Sequence, residues 1–146
     1  MGAKLVHGID VRAVEAAVRA AEVGTSGEIR VCIAHFYSWG DVQRAAERAF
    51  LTLGMEQTRH RNGVLVFVAA RRRRLVVLGD VGIHRLVAPT FWGELTGRLV
   101  TAFKAGDRTG GLERAVAEIG EQLARHFPPD PGPNINELSN EVARER

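Results

Sequence analysis

Glu28, Asn62 and Asp80 are far apart in the chain, yet each stands beside a run of residues with strand character. Glu28 opens Glu28-Ile29-Arg30-Val31-Cys32-Ile33-Ala34, where Ile29, Val31 and Ile33 share one face. Asn62 precedes Gly63 and the apolar run Val64-Leu65-Val66-Phe67-Val68, and Asp80 follows Gly79 after Arg74 to Leu78. With the first two runs as parallel strands and the third returning antiparallel, all three residues meet at one rim of a sheet. Two carboxylates and an amide there supply hard oxygen ligands suited to calcium or magnesium. Asp130, Asn134, Asn136 and Glu137 add oxygens if the tail folds toward that rim. The plainer alternative is that Glu28 ends a strand in solvent while Asp80 caps a turn or helix at Ile83.

The opposite rim offers a competing constellation. His35 and Asp41 lie beyond the end of the first strand, and ligands of open α/β sheets usually sit at the carboxyl ends of parallel strands. They could offer base or nucleophile chemistry, whereas a metal held by Glu28 and Asp80 would polarise a phosphate oxygen and activate water. For His35 the bland reading is a strand-end histidine facing water. Cys32 lies within a strand and reads as an inert buried thiol. His7, His60, His84 and His126 lack the spacing of a zinc site. Gly79-Asp80-Val81-Gly82 lacks the lysine and glycine spacing of a phosphate loop.

The most basic patch is Arg71-Arg72-Arg73-Arg74, with Arg59 and Arg61 nearby. Such a run grips phosphates or an acidic partner, or it is a solvated turn that keeps a sheet edge from pairing. No stacking aromatics interleave with it, so nucleic-acid binding is not expected. Tyr37 and Trp39 occupy a loop, where they mark a partner or ligand surface or fold over the core.

The elements that must position these residues are legible from periodicity. Val11, Val14, Val18 and Ala21 give a helix over 10–23 with Asp10 as its cap. Asp41 is placed to cap a second helix, with Val42, Ala46, Ala49, Phe50 and Leu53 as its buried stripe. The continuous apolar run after Asn62 suits a central strand covered on both sides. Strand, helix and strand in that order predict a parallel pair with a right-handed crossover. Arg71 to Arg73 form a short hairpin. From Pro89 one helical stripe holds Phe91, Trp92, Leu95, Leu99 and Phe103. A second, capped at Thr109, holds Leu112, Val116, Ile119, Leu123 and Phe127. The expected fold is α/β: a three-layer α/β/α sandwich around a short mixed sheet.

A chain of 146 residues, 45% apolar and 25% charged, is sized and composed for one hydrophobic core. Residues 1–128 form that domain, and 129–146 form a proline-rich tail partly packed on it through Ile135 and Leu138. The net charge of +3 and pI of 9.7 allow weak association with acidic surfaces and establish none. The single cysteine excludes an intrachain disulfide and fits a reducing cytoplasm. No secretory signal or membrane segment is expected, since the longest apolar stretch, Gly63 to Ala70, is strand-sized.

Ser26-Gly27-Glu28-Ile29-Arg30-Val31, then Asn62-Gly63-Val64-Leu65, then Gly79-Asp80-Val81-Gly82-Ile83 resemble the TPM domain family in order and spacing. Phe91-Trp92, Phe103-Lys104-Ala105-Gly106, Gly111-Leu112, Ile119-Gly120 and His126-Phe127-Pro128 continue the likeness. Asn136-Glu137-Leu138 looks like the acidic ending of the family's cytosolic, single-domain bacterial branch. The resemblance spans roughly Val11 to Val142 and implies a Rossmann-like α/β/α sandwich. It also implies divalent-cation binding, calcium especially, with Glu28, Asp80, Asn136 and Glu137 matching the family's polar positions as metal ligands. A plant thylakoid relative is assigned acid phosphatase activity, and other members are membrane-anchored or serve receptor complexes. This chain departs from the branch at Pro131-Gly132-Pro133-Asn134-Ile135, where paired aspartates are usual, and at Ser139, where proline is common.

The combined expectation is a cytoplasmic domain that binds calcium, or magnesium, and acts as a binding or assembly module, with an unidentified protein as its partner. The alternative is a metal-assisted phosphatase of low specificity. No catalytic residue is assigned.

Overall fold

Residues 5–35, 40–131 and 138–145 are described by the structure, a computed structural model. The chain begins with a hairpin of β1 (Leu5–Val6) and β2 (Ile9–Asp10). Its two turn residues, His7 (φ 50°) and Gly8 (φ 77°), take the left-handed conformations that suit a tight hairpin to strand twist. Asp10 then caps α1 (Val11–Glu22), its carboxylate accepting from the Ala13 amide at 3.1 Å.

The central pair forms as the periodicity predicts. β3 (Glu28–Ala34) runs parallel to β4 (Gly63–Ala69), joined through α2 (Val42–Thr52), whose cap Asp41 accepts from Gln43 N at 2.9 Å. All seven residues of β4 are buried, as a strand covered on both faces requires. Arg71 and Arg72 lie in a single 3₁₀ turn rather than a plain hairpin, and Arg73 (φ 54°) reverses the chain. β5 (Arg74–Gly79) then returns antiparallel to β4. After α3 (Val81–His84) come α4 (Pro89–Lys104) and α5 (Arg108–His126).

α1, α4 and α5 cover one face of the sheet. Val14, Val18, Leu95, Leu99, Val116 and Leu123 bury there with Ile29, Val31, Val64 and Val66. α2 covers the other face, where Val42, Ala46 and Ala49 meet Cys32, Leu65 and Phe67. The result is the three-layer α/β/α sandwich with a mixed sheet.

Three local features differ from the sequence reading. Thr109 does not cap α5: its hydroxyl accepts from the Asp10 amide at 2.9 Å and ties the hairpin to that helix. The helix starts two residues earlier, at Arg108 after Asp107. The tail also contributes a strand, β6 (Ala143–Glu145), parallel to β3, giving the order β5-β4-β3-β6. Three residues carry too little pattern to announce a strand. The open edge of β3 recruits them, because unpaired strand groups favour any segment that can complete the ladder. Leu138 packs against the α2-side core, while Ile135 lies outside the described residues. Among the described residues, no helix is long and apolar enough to cross a membrane.

Candidate functional site

The sheet register brings Glu28, Asn62 and Asp80 together. Glu28 pairs with Gly63, so the Glu28 amide donates to the Asn62 carbonyl at 3.4 Å. The Asp80 amide donates to the Gly63 carbonyl at 2.9 Å. All three residues are buried, with Glu28 3%, Asn62 0% and Asp80 5% exposed. The alternative of Glu28 ending its strand in solvent therefore does not hold.

Asp80 does two jobs that occupy both its oxygens. Oδ1 accepts from Val81 N at 2.8 Å, capping α3, and from Arg61 Nη2 at 2.8 Å. Oδ2 accepts from Arg61 Nε at 2.6 Å. This fork-on-fork geometry is the strong form of an ion pair, and it raises the pKa of Arg61 above its ordinary value. The fit depends on backbone: Arg61 takes a left-handed φ of 51°, and Gly82 N donates to Arg61 O at 2.8 Å. A Cβ on Gly82 would come within 2.2 Å of His60 O, so only glycine allows that approach.

Glu22 was absent from the sequence reading and belongs to this rim. It ends α1, is 8% exposed, and its Oε2 accepts from Ile29 N at 2.8 Å. Its carboxyl also hydrogen-bonds with that of Glu28. Burial, then the neighbouring Glu28, push its pKa up to about 8, against the lowering effect of the Ile29 amide. Two buried carboxyls in contact share a proton because two charges cannot be desolvated side by side. One sequence signal existed: an acidic residue in the last turn opposes the helix dipole, so something else must hold it there.

Asn62 supplies the remaining acceptor. Its amide nitrogen donates to Ser26 Oγ at 3.3 Å, while its Oδ1 is buried with no hydrogen-bond partner among the described residues. The end of α5 braces the turn beneath, with Thr25 Oγ1 and Ser26 N both donating to Phe127 O. The tail approaches this rim as well: His60 Nε2 donates to Asp130 Oδ1 at 3.0 Å, with Arg59 3.7 Å from Oδ2. Asn134, Asn136 and Glu137 lie outside the described residues. Among the described residues, no three His, Cys, Asp or Glu side chains are placed to hold a metal ion together. The donors Glu22, Glu28 and Asn62 are nonetheless all oxygen, which fits a hard divalent cation. Asp80 fits one less well, because its oxygens are already used.

The opposite rim is arranged differently. His7 Nε2 and His35 Nδ1 are 3.1 Å apart, so His35 is not simply hydrated. Its pKa is lowered by desolvation, then by His7, Arg144 and Arg71. Asp41 is committed to its helix cap. Arg72 donates to Gly40 O, so the arginine run does not act as one solvated patch. Tyr37 and Trp39 lie outside the described residues.

A central parallel pair, an antiparallel return strand and helices on both faces define a Rossmann-like α/β/α domain with a polar rim at the amino ends of its parallel strands. The profile of the TPM domain family matches residues 2–122, and the chain belongs to that family. It is similar to the BA42 protein of the psychrophilic bacterium Bizionia argentinensis, solved by NMR, at 35% identity over 92% of this chain and 91% of that one, with a TM-score of 0.82. The N-terminal domain of the cg2496 protein from Corynebacterium glutamicum shares the fold at 13% identity and TM-score 0.59, over 77% and 70% of the two chains. Comparison with curated protein sequences gave no match.

Proposed function

We propose that this domain binds a divalent cation, calcium first and magnesium second, at the Glu28 rim and serves as a cation-dependent binding module. The observation that carries this reading is Asn62 Oδ1, a buried acceptor without a partner among the described residues, at the rim that holds two buried carboxyl groups. Leaving such an atom unsatisfied costs about 1–3 kcal/mol, so the site favours whatever supplies it with a positive neighbour or a donor. Glu28, Glu22 and Asn62 would hold the cation, with Asn136 and Glu137 of the tail as further oxygen ligands. Asp80 would join only by releasing Arg61; its role in the ground state is to fix the wall of the rim. A bound cation would supply charge that draws an acidic or phosphorylated group to this rim, and ligation by the tail would make partner contact cation-dependent. Calorimetric titration of the metal-stripped protein with calcium, then magnesium, tests the reading. Saturable binding that is lost in Glu28→Gln and weakened in Asn62→Ala is expected; equal heats in all three proteins would rule it out, leaving an ordered water as the occupant.

A second reading, metal-assisted hydrolysis of phosphomonoesters, is supported by the phosphatase name that the family carries and by Arg61. That guanidinium is 48% exposed although the carboxylate it grips is buried, so it faces solvent where a phosphate would approach the cation. Turnover of a generic aryl phosphate should then require metal and fall in Glu28→Gln. Background rates at every pH and metal tried would remove this reading and leave the binding role standing.

A further inference from the structure

A cavity of about 340 Å³ opens on the other side of the molecule, at the carboxyl end of β4. The 3₁₀ turn and the start of β5 form one wall, and the end of α4 with the first residue of α5 forms the other. Its floor is apolar, made of Val68, Leu75, Val100 and Phe103, while Arg73, Arg74, Lys104 and Arg108 ring it. Among the described residues, no carboxylate lines it.

The cationic ring is not consumed internally. Among the described residues, Arg73, Arg74 and Lys104 form no ion pair. Arg108 donates to His7 O at 2.7 Å and lies 5.6 Å from the centre of the Phe103 ring, which fixes its guanidinium at the edge of the apolar floor. The nearest acidic neighbour in sequence, Asp107, is drawn away by Arg114 at 2.9 Å. Four positive groups held this close repel one another, and an anion between them relieves the repulsion. The volume falls at the lower end of small-molecule sites, and open α/β sheets favour ligands at the carboxyl ends of their strands.

We infer that this cavity binds a small amphiphilic anion, with its charged head among Arg73, Arg74, Lys104 and Arg108 and a short apolar body over Val68, Leu75, Val100 and Phe103. The apolar floor separates this ligand from a bare inorganic anion, which would leave it wet. The shared chemistry is an anionic head on an alkyl body, and the head comes as a carboxylate or a phosphate. The inference does not rest on the cation site, which lies at the opposite ends of the strands.

The test is an amide NMR titration of the metal-stripped protein with hexanoate, hexyl phosphate and inorganic phosphate in separate arms. Saturable shifts at Val68 to Ala70, Leu75, Val100 and Phe103 are expected with at least one hexyl ligand, and the tighter of the two identifies the head group. Inorganic phosphate should bind at least about tenfold more weakly, for lack of an apolar body. The Arg73→Gln, Lys104→Gln double variant, both side chains being exposed, should keep its thermal midpoint and lose about tenfold or more in affinity. No saturation with either hexyl ligand, equal affinity for inorganic phosphate, or unchanged affinity in a folded double variant would each overturn the inference.

Discussion

Glu22 and Asp80 show how burial assigns different tasks to two carboxyl groups at one rim. Asp80 is met by the Arg61 guanidinium and the Val81 amide, which between them occupy both its oxygens. Glu22 has only the Ile29 amide and a like neighbour, so its pKa rises from an ordinary 4.5 to about 8. Between those values the folded chain holds a proton that the unfolded chain has released, so raising the pH favours unfolding. The metal-free protein should therefore lose stability as pH rises from about 5 to about 8, by at most ~1.4 kcal/mol per unit. Glu22→Gln should flatten that slope in denaturant titrations; identical slopes would mean that Glu22 ionises normally. The meeting of Glu28, Asn62 and Asp80 was legible in the sequence because each adjoins an apolar strand whose direction the connections dictate. The Arg61–Asp80 fork was not, since it depends on a left-handed backbone at Arg61 and on the room that Gly82 leaves. Glu22 was hidden for a different reason: it stands four residues after Val18 on the buried stripe of α1, but a carboxylate at that position does not declare itself as buried, and the apolar pattern ends the stripe at Ala21.

Helix caps and long strands declare themselves, and edges do not. Asp10 and Asp41 were readable as caps because each precedes a clear apolar stripe, and the structure gives both the expected bond to an early amide. Replacing Asp10 with Ala should cost about 1 kcal/mol, measured as a shift in denaturation midpoint at constant slope. β6 was illegible because its three residues carry no alternation that could be told from a loop. What holds it is partly a single long-range bond, Glu15 Oε2 accepting from Val142 N at 2.8 Å. In Glu15→Ala the amides of residues 143–145 should exchange with solvent faster while those of β4 stay protected. Uniform protection in both strands would show that pairing with β3 alone holds the tail.

At the scale of the whole molecule, α5 couples the larger core to the Glu28 rim. Leu123 is fully buried, and its side chain lies where a Cβ on Gly27 would need to be, directly under the turn that leads to Glu28. Leu123→Ala should cost about 3 kcal/mol through the cavity it opens. The same change should weaken cation binding, because the turn holding Glu28 and Ser26 loses its support. Ile119→Val, one turn earlier on the helix and away from that turn, should cost about 1 kcal/mol and leave binding intact. Comparing thermal midpoints and calcium isotherms of the two variants checks this; equal effects on binding would place the coupling elsewhere. The two ends of the parallel strands thus differ in character: buried carboxyls at the start, a ring of cationic side chains at the finish.

The central claim is that the Glu22, Glu28 and Asn62 oxygens take a divalent cation. Calcium titration of the metal-stripped protein, followed residue by residue through its amide and side-chain amide resonances, tests it most directly. Saturable shifts centred on Ile29, Glu28 and the Asn62 side chain, extending to Asn136 and Glu137 and abolished in Glu28→Gln, are expected. Weak, non-saturating shifts spread over exposed acidic residues such as Glu47, Glu113 and Glu121, with the Asn62 side chain unmoved, would contradict it.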